Sequence, residues 1–247
     1  MGFLAALHFL TTIPVATRRT FTDSELGASL AYYPLVGALL GVLLVLGAAL
    51  WGWAFGAGIA AALTLVTWVL LTGGLHLDGF LDACDGLLSH RPSEERLRIM
   101  RDSHVGAWGL LGGVLALLVQ FAALAQLFAQ PDGRLWGALL LAPVLARWAM
   151  CAAVAAFPYG RTEGWGQTLH AQAGRRQVAL ATLASVAIVA SVQPLIGLVS
   201  WAVVLAAALM VARFALDRLP GLTGDVYGMI AVVSESVVLL VFALRWA

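Results

Sequence analysis

The chain has 247 residues, of which 62% are hydrophobic and only 11% charged, and its mean hydropathy is +0.93; soluble domains carry about 25% charged residues. That balance excludes an ordinary soluble domain and indicates a polytopic membrane protein. Fourteen basic residues, all arginine, face thirteen acidic ones for a net charge of +1, which gives no reason to expect nucleic acid as a partner. With no lysine and no GxxxxGK[ST] run, P-loop nucleotide hydrolysis is excluded as well.

Residues 2–15, GFLAALHFLTTIPV, are apolar but too short to span, and they end near Pro14. They lack a basic n-region and an obvious cleavage site, so a short interfacial or partly inserted helix is expected rather than a removed signal peptide. Seven longer apolar segments follow, near residues 30–50, 57–77, 107–129, 135–156, 177–193, 195–212 and 226–244. Each approaches the roughly 20 residues that cross a hydrocarbon core. The junction at Gln193 and Pro194 fits one long broken hairpin or two short helices equally well. The expected fold is all-α, a transmembrane helical bundle of about seven spans forming one domain over residues 1–247. Cys84 and Cys151 match no zinc or disulfide spacing and read as free thiols.

Arginine placement gives this layout a direction. The stretches 16–29, 78–106, 157–176 and 213–225 hold eleven of the fourteen arginines, and seven spans put all four stretches on one side. The opposite side has Arg134 and Arg245, with Arg147 inside a span. By the positive-inside rule the arginine-rich side is cytoplasmic.

The same side carries the candidate chemistry. In LTGGLHLDGFLDACDG, Asp78, Asp82 and Asp85 are spaced i, i+4, i+7, which on a helix places three carboxylates within about 60° of arc. Carboxylates that close repel unless a cation lies among them, and magnesium suits oxygen ligands shared with substrate phosphates. A solvated loop would hold the same acids with no helical register. His76, two residues before Asp78, is off that face, and a structural hydrogen bond competes with ligand binding there. In RIMRDSHVGAWG, Arg98, Arg101, Asp102 and His104 precede the third span; their charges fit phosphate binding or a topology signal. Arg147 and Glu235 lie within apolar segments, where a charge needs a partner or a polar cavity; they could pair with each other or serve a phosphate. FPYGRTEGWG sets Arg161 and Glu163 among glycines, suited to a backbone folded over an anion or to a plain cytoplasmic loop. LPGLTGDVYG opens the last span with Asp225. Carboxylates for a metal and arginines for phosphate are the parts of phosphoryl transfer.

These motifs resemble cobalamin synthase, the adenosylcobinamide-GDP ribazoletransferase family. The resemblance runs nearly end to end, through FLTTIPV, YYPLVGALLG, LTGGLHLDGFLDACDG, RIMRDSHVGAWG, RTEGWG and LTGDVYG with Glu235 beyond. It implies a multi-pass enzyme of a bacterial inner membrane, with its active site facing the cytoplasm. Its substrates would be adenosylcobinamide-GDP and α-ribazole or its 5'-phosphate, and its products adenosylcobalamin or its 5'-phosphate and GMP. It further implies Mg2+ as cofactor, held by Asp78, Asp82, Asp85 and Asp225, with Asp82 and Asp85 catalytic and Asp85 as base. Arg98, Arg101, Asp102, His104, Arg147, Arg161, Glu163, Glu235 and His76 would contact substrate or phosphate. The oligomeric state is left open. The aspartate pattern is also similar to that of CDP-alcohol phosphotransferases, but Gly79 follows the first aspartate, Gly86 follows the third, and no DGxxAR is present. Lipid phosphotransfer is therefore the alternative enzyme reading, and a membrane transporter the alternative class.

Overall fold

A computed structural model describes residues 1–16 and 19–244, apart from the Trp165 side chain. Arg18 and Arg245, used in the arginine tally, lie outside the described residues. The described chain is helical from end to end: α1 (Gly2–Leu10), α2 (Asp23–Ser29), α3 (Tyr33–Ala54), α4 (Ala57–Thr72), α5 (Leu75–Leu88), α6 (Ser93–Ile99), α7 (Ala107–Phe128), α8 (Arg134–Ala156), α9 (Trp165–Gln172), α10 (Arg175–Val192), α11 (Pro194–Leu216) and α12 (Gly224–Ala243). A 3-10 turn, Leu30–Tyr32, joins α2 to α3. The short N-terminal helix is present as expected, and the Gln193–Pro194 junction resolves into two helices.

Among the described residues, six helices are long and apolar enough to cross a membrane, or seven if the bent pair α4–α5 is one span. That pair departs from the single segment expected at 57–77. The chain turns by 91° between α4 and α5, because Gly73 and Gly74 take φ of 61° and 70°, a left-handed conformation that residues with a Cβ resist. The N-terminal segment secures this elbow. The Thr12 amide donates to the Leu71 carbonyl at 2.9 Å and its hydroxyl to the Leu70 carbonyl at 3.0 Å, satisfying carbonyls that a helix end leaves free.

Two helices form the centre. The apolar windows of α8 and α12 are 83% and 78% buried, against 17–33% for the other single-helix candidate spans. α8 packs on α3 and α12, and α12 also packs on α5 and α11. The outer helices turn leucines and valines outward, among them Leu46, Val66, Leu118, Leu183 and Leu198, as lipid-facing surfaces do. Polar side chains join α7 to α12, with Gln120 Nε2 donating to Ser236 Oγ at 3.0 Å and Gln126 Nε2 to the Ala243 carbonyl. Such bonds between membrane helices contribute about 0.6 kcal/mol each.

Candidate active site

The elbow makes the aspartate triplet useful. Beyond it, α5 is helical over its whole length, so Asp78, Asp82 and Asp85 do share a helical register. They differ in depth: Asp78 is exposed, Asp82 half-buried and Asp85 buried. α5 approaches α12 through two glycines. A Cβ on Gly79 would lie 3.1 Å from Asp225 Cα, and one on Gly228 would lie 2.9 Å from the His76 carbonyl. The second contact is closer than a side chain tolerates and the first is tight, and this approach brings Asp225 into the neighbourhood of Asp78.

Asp225 is held from two further directions. It stands in the first turn of α12, behind the N-cap Thr223, where a carboxylate suits the helix dipole. Arg161 donates to its Oδ2 at 2.7 Å. Arg161 reaches that point because the loop after α8 is tied to the turn before α12: Gly160 donates to the Leu222 carbonyl at 2.7 Å, and Leu222 to the Pro158 carbonyl at 2.8 Å. Gly160 and Gly221 face each other with no room for a Cβ on either. The charges of Asp78, Asp225 and Asp85 all bear on Asp82, and Arg161 alone opposes them. Such an excess of negative charge calls for a cation.

A cavity of about 250 Å3 opens beside this cluster. Asp78, Asp225, Arg161 and Glu163 are among its polar lining, Phe9, Leu75, Met150, Val154 and Leu169 supply its apolar walls, and His76 and Tyr227 line it where α5 and α12 meet. Tyr159 and Tyr227 are stacked with ring centroids 6.4 Å apart.

Asp85 has a different task from the one expected of it. Its Oδ2 accepts from the Gly106 amide and its Oδ1 from the Gly109 amide, each at 2.8 Å, so it caps the N-terminus of α7. Free amides and the dipole at a helix start attract a carboxylate. With both oxygens engaged and the residue 9% exposed, Asp85 is poorly placed to be the base or a metal ligand. The glycines of HVGAWG make this cap possible, since a Cβ on either would collide with the carboxylate.

Arg147 and Glu235 pair with each other, and this corrects their assignment to phosphate. Arg147 Nη1 donates to Glu235 Oε1, and the two residues are 0% and 6% exposed, so an anion from outside meets neither. Arg147 Nη2 also lies 3.3 Å from His76 Nδ1. His76 therefore joins a buried polar group and also lines the cavity.

The RIMRDSHVGAWG residues remain at the surface. Arg98, Arg101, Asp102 and His104 are exposed, and His104 Nδ1 is 2.7 Å from Asp102 Oδ1. Hydrogen bonds from the His104 side chain and amide hold the Asp102 carboxyl below its usual range. Arg98 is 3.6 Å from Glu95. The charge of Arg101 is felt weakly at Tyr159 on the cavity wall. Sequence reasoning missed Tyr159 and Tyr227, which resemble any interfacial tyrosines. It also missed Arg96, whose Nη1 donates to the Gly86 and Leu87 carbonyls at 2.9 and 2.6 Å. A cation closing a helix C-terminus leaves no mark in sequence beyond its place after the helix.

The donor set can be tested against a metal. Among the described residues, no three His, Cys, Asp or Glu side chains form a preassembled ligand group. Asp78 and Asp225 nevertheless offer hard oxygens at the mouth, with Asp82 within reach of their charge. Magnesium is held by one or two carboxylates, with waters and substrate phosphates completing its shell, so the residues present fit that ion.

The architecture is that of a helical, multi-pass membrane protein with carboxylates and an arginine at the mouth of a small cavity. The chain matches the family model described as cobalamin-5-phosphate synthase over residues 2–243. An adenosylcobinamide-GDP ribazoletransferase from Pseudomonas fluorescens is 42% identical over 254 aligned positions, covering 99% of each chain. Enzymes of the same name from Desulfitobacterium hafniense and Desulforamulus reducens are 38% and 39% identical, covering 95% and 97% of this chain and 93% and 94% of their own. No solved structure matches the chain. The chain belongs to the cobalamin-5-phosphate synthase family. This is a family of enzymes, and the carrier reading gives way.

Proposed function

We propose that the protein transfers the adenosylcobinamide phosphate group from adenosylcobinamide-GDP to a hydroxyl of α-ribazole or its 5'-phosphate and releases GMP. The observation that carries this reading is the convergence of Asp78, Asp225 and Arg161 at one cavity mouth, with Asp82 inside their electrostatic field, in a chain of this family. The acceptor oxygen forms a bond to the phosphorus on the cobinamide arm. The phosphoanhydride bond to the GMP phosphate breaks, and its electron pair leaves with GMP. Phosphoryl transfer of this kind needs positioning and charge neutralisation more than covalent help from the protein.

Arg161 offsets charge on the phosphates while it fixes Asp225, and Arg101 adds positive charge at the rim. Asp82, half-buried one turn beyond Asp78 on α5, takes the hydroxyl proton, the role that the capped Asp85 leaves vacant. Asp78, Asp82 and Asp225 would hold Mg2+, which when bound supplies charge neutralisation on the phosphate oxygens. We place this mouth at the cytoplasmic face of a bacterial inner membrane, following the arginine asymmetry.

The test is turnover by purified protein in liposomes given both substrates. GMP and the corrinoid product should appear in equal amounts, and only when the ribazole acceptor is present. GMP release that ignores the acceptor would point to hydrolysis and overturn the reading.

A further inference from the structure

The cavity wall at the α5–α12 contact holds a hydrogen-bond donor with no partner. His76 is 5% exposed and lines the cavity together with Asp78, Gly79 and Tyr227. Its Nδ1 lies 3.3 Å from Arg147 Nη2. A guanidinium has donors only, so Nδ1 accepts, and the ring is the neutral tautomer with its hydrogen on Nε2. That Nε2 is buried and has no hydrogen-bond partner, and the Tyr227 hydroxyl is in the same condition. Buried donors are paired almost without exception, so an acceptor, from water or from a ligand, belongs at this point of the wall.

The cavity restricts what that ligand is. At about 250 Å3 it falls just below the roughly 300–1,000 Å3 of sites for drug-sized molecules, so it admits a bicyclic base and refuses a corrin macrocycle. Phe9, Leu75, Met150, Val154 and Leu169 make its walls apolar. Guanine, with donors and acceptors along two edges, would need its partners among Asp78, Arg161, Glu163 and Asp225, the groups that the phosphates also require. A benzimidazole has one in-plane acceptor, its unsubstituted nitrogen, on an otherwise apolar bicycle. A base held at this end also directs its ribose toward Asp78 and Asp225, where a hydroxyl has to meet phosphorus.

We infer that this cavity is the acceptor subsite: it takes the benzimidazole of ribazole, with His76 Nε2–H donating to the ring nitrogen and the buried Arg147–Glu235 pair fixing the tautomer that makes the donation available. His76 is thus the specificity-determining contact for the acceptor base, and Arg147 and Glu235 are positioning residues. This assignment rests on the transferase reading above.

The experiment measures equilibrium binding of α-ribazole to the protein in nanodiscs, in parallel with the KM of each substrate. The second ligand is the dimethylindole riboside, in which C–H replaces the acceptor nitrogen. The variants are His76→Asn, whose amide reaches only the Nδ1 position, and His76→Gln, whose amide reaches the Nε2 position. Wild type should bind ribazole about tenfold more tightly than the indole analogue, the worth of one buried hydrogen bond. His76→Asn should lose that discrimination and raise the KM for ribazole alone, whereas His76→Gln should restore most of it. Equal affinity of wild type for the two ribosides, or a His76→Asn variant that still discriminates, overturns the subsite. Ribazole binding with discrimination but no transfer would instead refute the reaction while upholding the subsite.

Discussion

The mouth of the cavity and the polar layer beneath it are made from the same residue types and do opposite things. At and near the mouth, Asp78, Asp225 and Asp82 outnumber the arginine whose charge opposes them, and they are exposed or partly so. Beneath, Arg147 and Glu235 cancel each other out of reach of solvent. Surplus charge near water is available to a substrate or an ion, whereas balanced charge in the interior holds helices in place and orients a neighbour. A charged residue within an apolar segment thus announces a polar environment, and its partner decides whether that environment is a site.

Two substitutions should separate the regions most sharply. Asp82→Asn should lower kcat by about 100- to 1,000-fold, the scale of losing one preorganised electrostatic group, while the melting temperature in detergent stays at the wild-type value. Arg147→Met should act first on stability, with a raised KM for ribazole through His76 beside it. Leaving Glu235 charged and alone costs about 3–5 kcal/mol, seen as a large fall in melting temperature, and the double variant Arg147→Met, Glu235→Leu should recover most of it.

Asp85 is intermediate, close to the mouth in sequence and structural in role. Asp85→Ala removes charge-assisted bonds to Gly106 and Gly109, worth about 1.5–3 kcal/mol for hydrogen bonds to a charged group. Melting should fall accordingly, and turnover per folded molecule should fall far less than in Asp82→Asn. Magnesium gives a further contrast: added with adenosylcobinamide-GDP, it should raise the melting temperature of wild type and not of Asp78→Asn. The smallest effect is expected at the surface pair. Hydrogen bonds from His104 hold the Asp102 carboxyl below its usual range, so its contribution is present above the ordinary carboxylate value and lost as pH falls through the depressed one. Asp102→Asn should therefore differ barely from wild type in a neutral melt and not at all in strong acid.

Much of this could be read from the chain. The helical class, the arginine asymmetry and the i, i+4, i+7 aspartates are periodic or compositional, and the structure keeps the helical class and the register. What stayed hidden depends on contacts between distant segments. The 91° turn at Gly73 and Gly74 needs two left-handed residues and a strut from Thr12, whereas hydropathy sees only a continuous apolar run through residue 77. Hydropathy also failed to rank burial: the apolar window of α11 is more hydrophobic than that of α8, yet it is 33% buried against 83%, because lipid and protein interior are equally apolar. Asp85 has the same spacing as its neighbours, and only the arrival of the α7 N-terminus, 21 residues later, removes it from the chemistry. The pairing of Arg147 with Glu235 spans 88 positions and was one of two readings that residue type alone allowed.

The most direct test of the division between mouth and layer is the turnover number of Asp82→Asn reconstituted beside wild type, with a melting curve on the same samples. The account predicts wild-type melting with kcat reduced by about 100-fold or more. Near-normal turnover in that folded variant would contradict it and move the chemistry away from the α5 carboxylates.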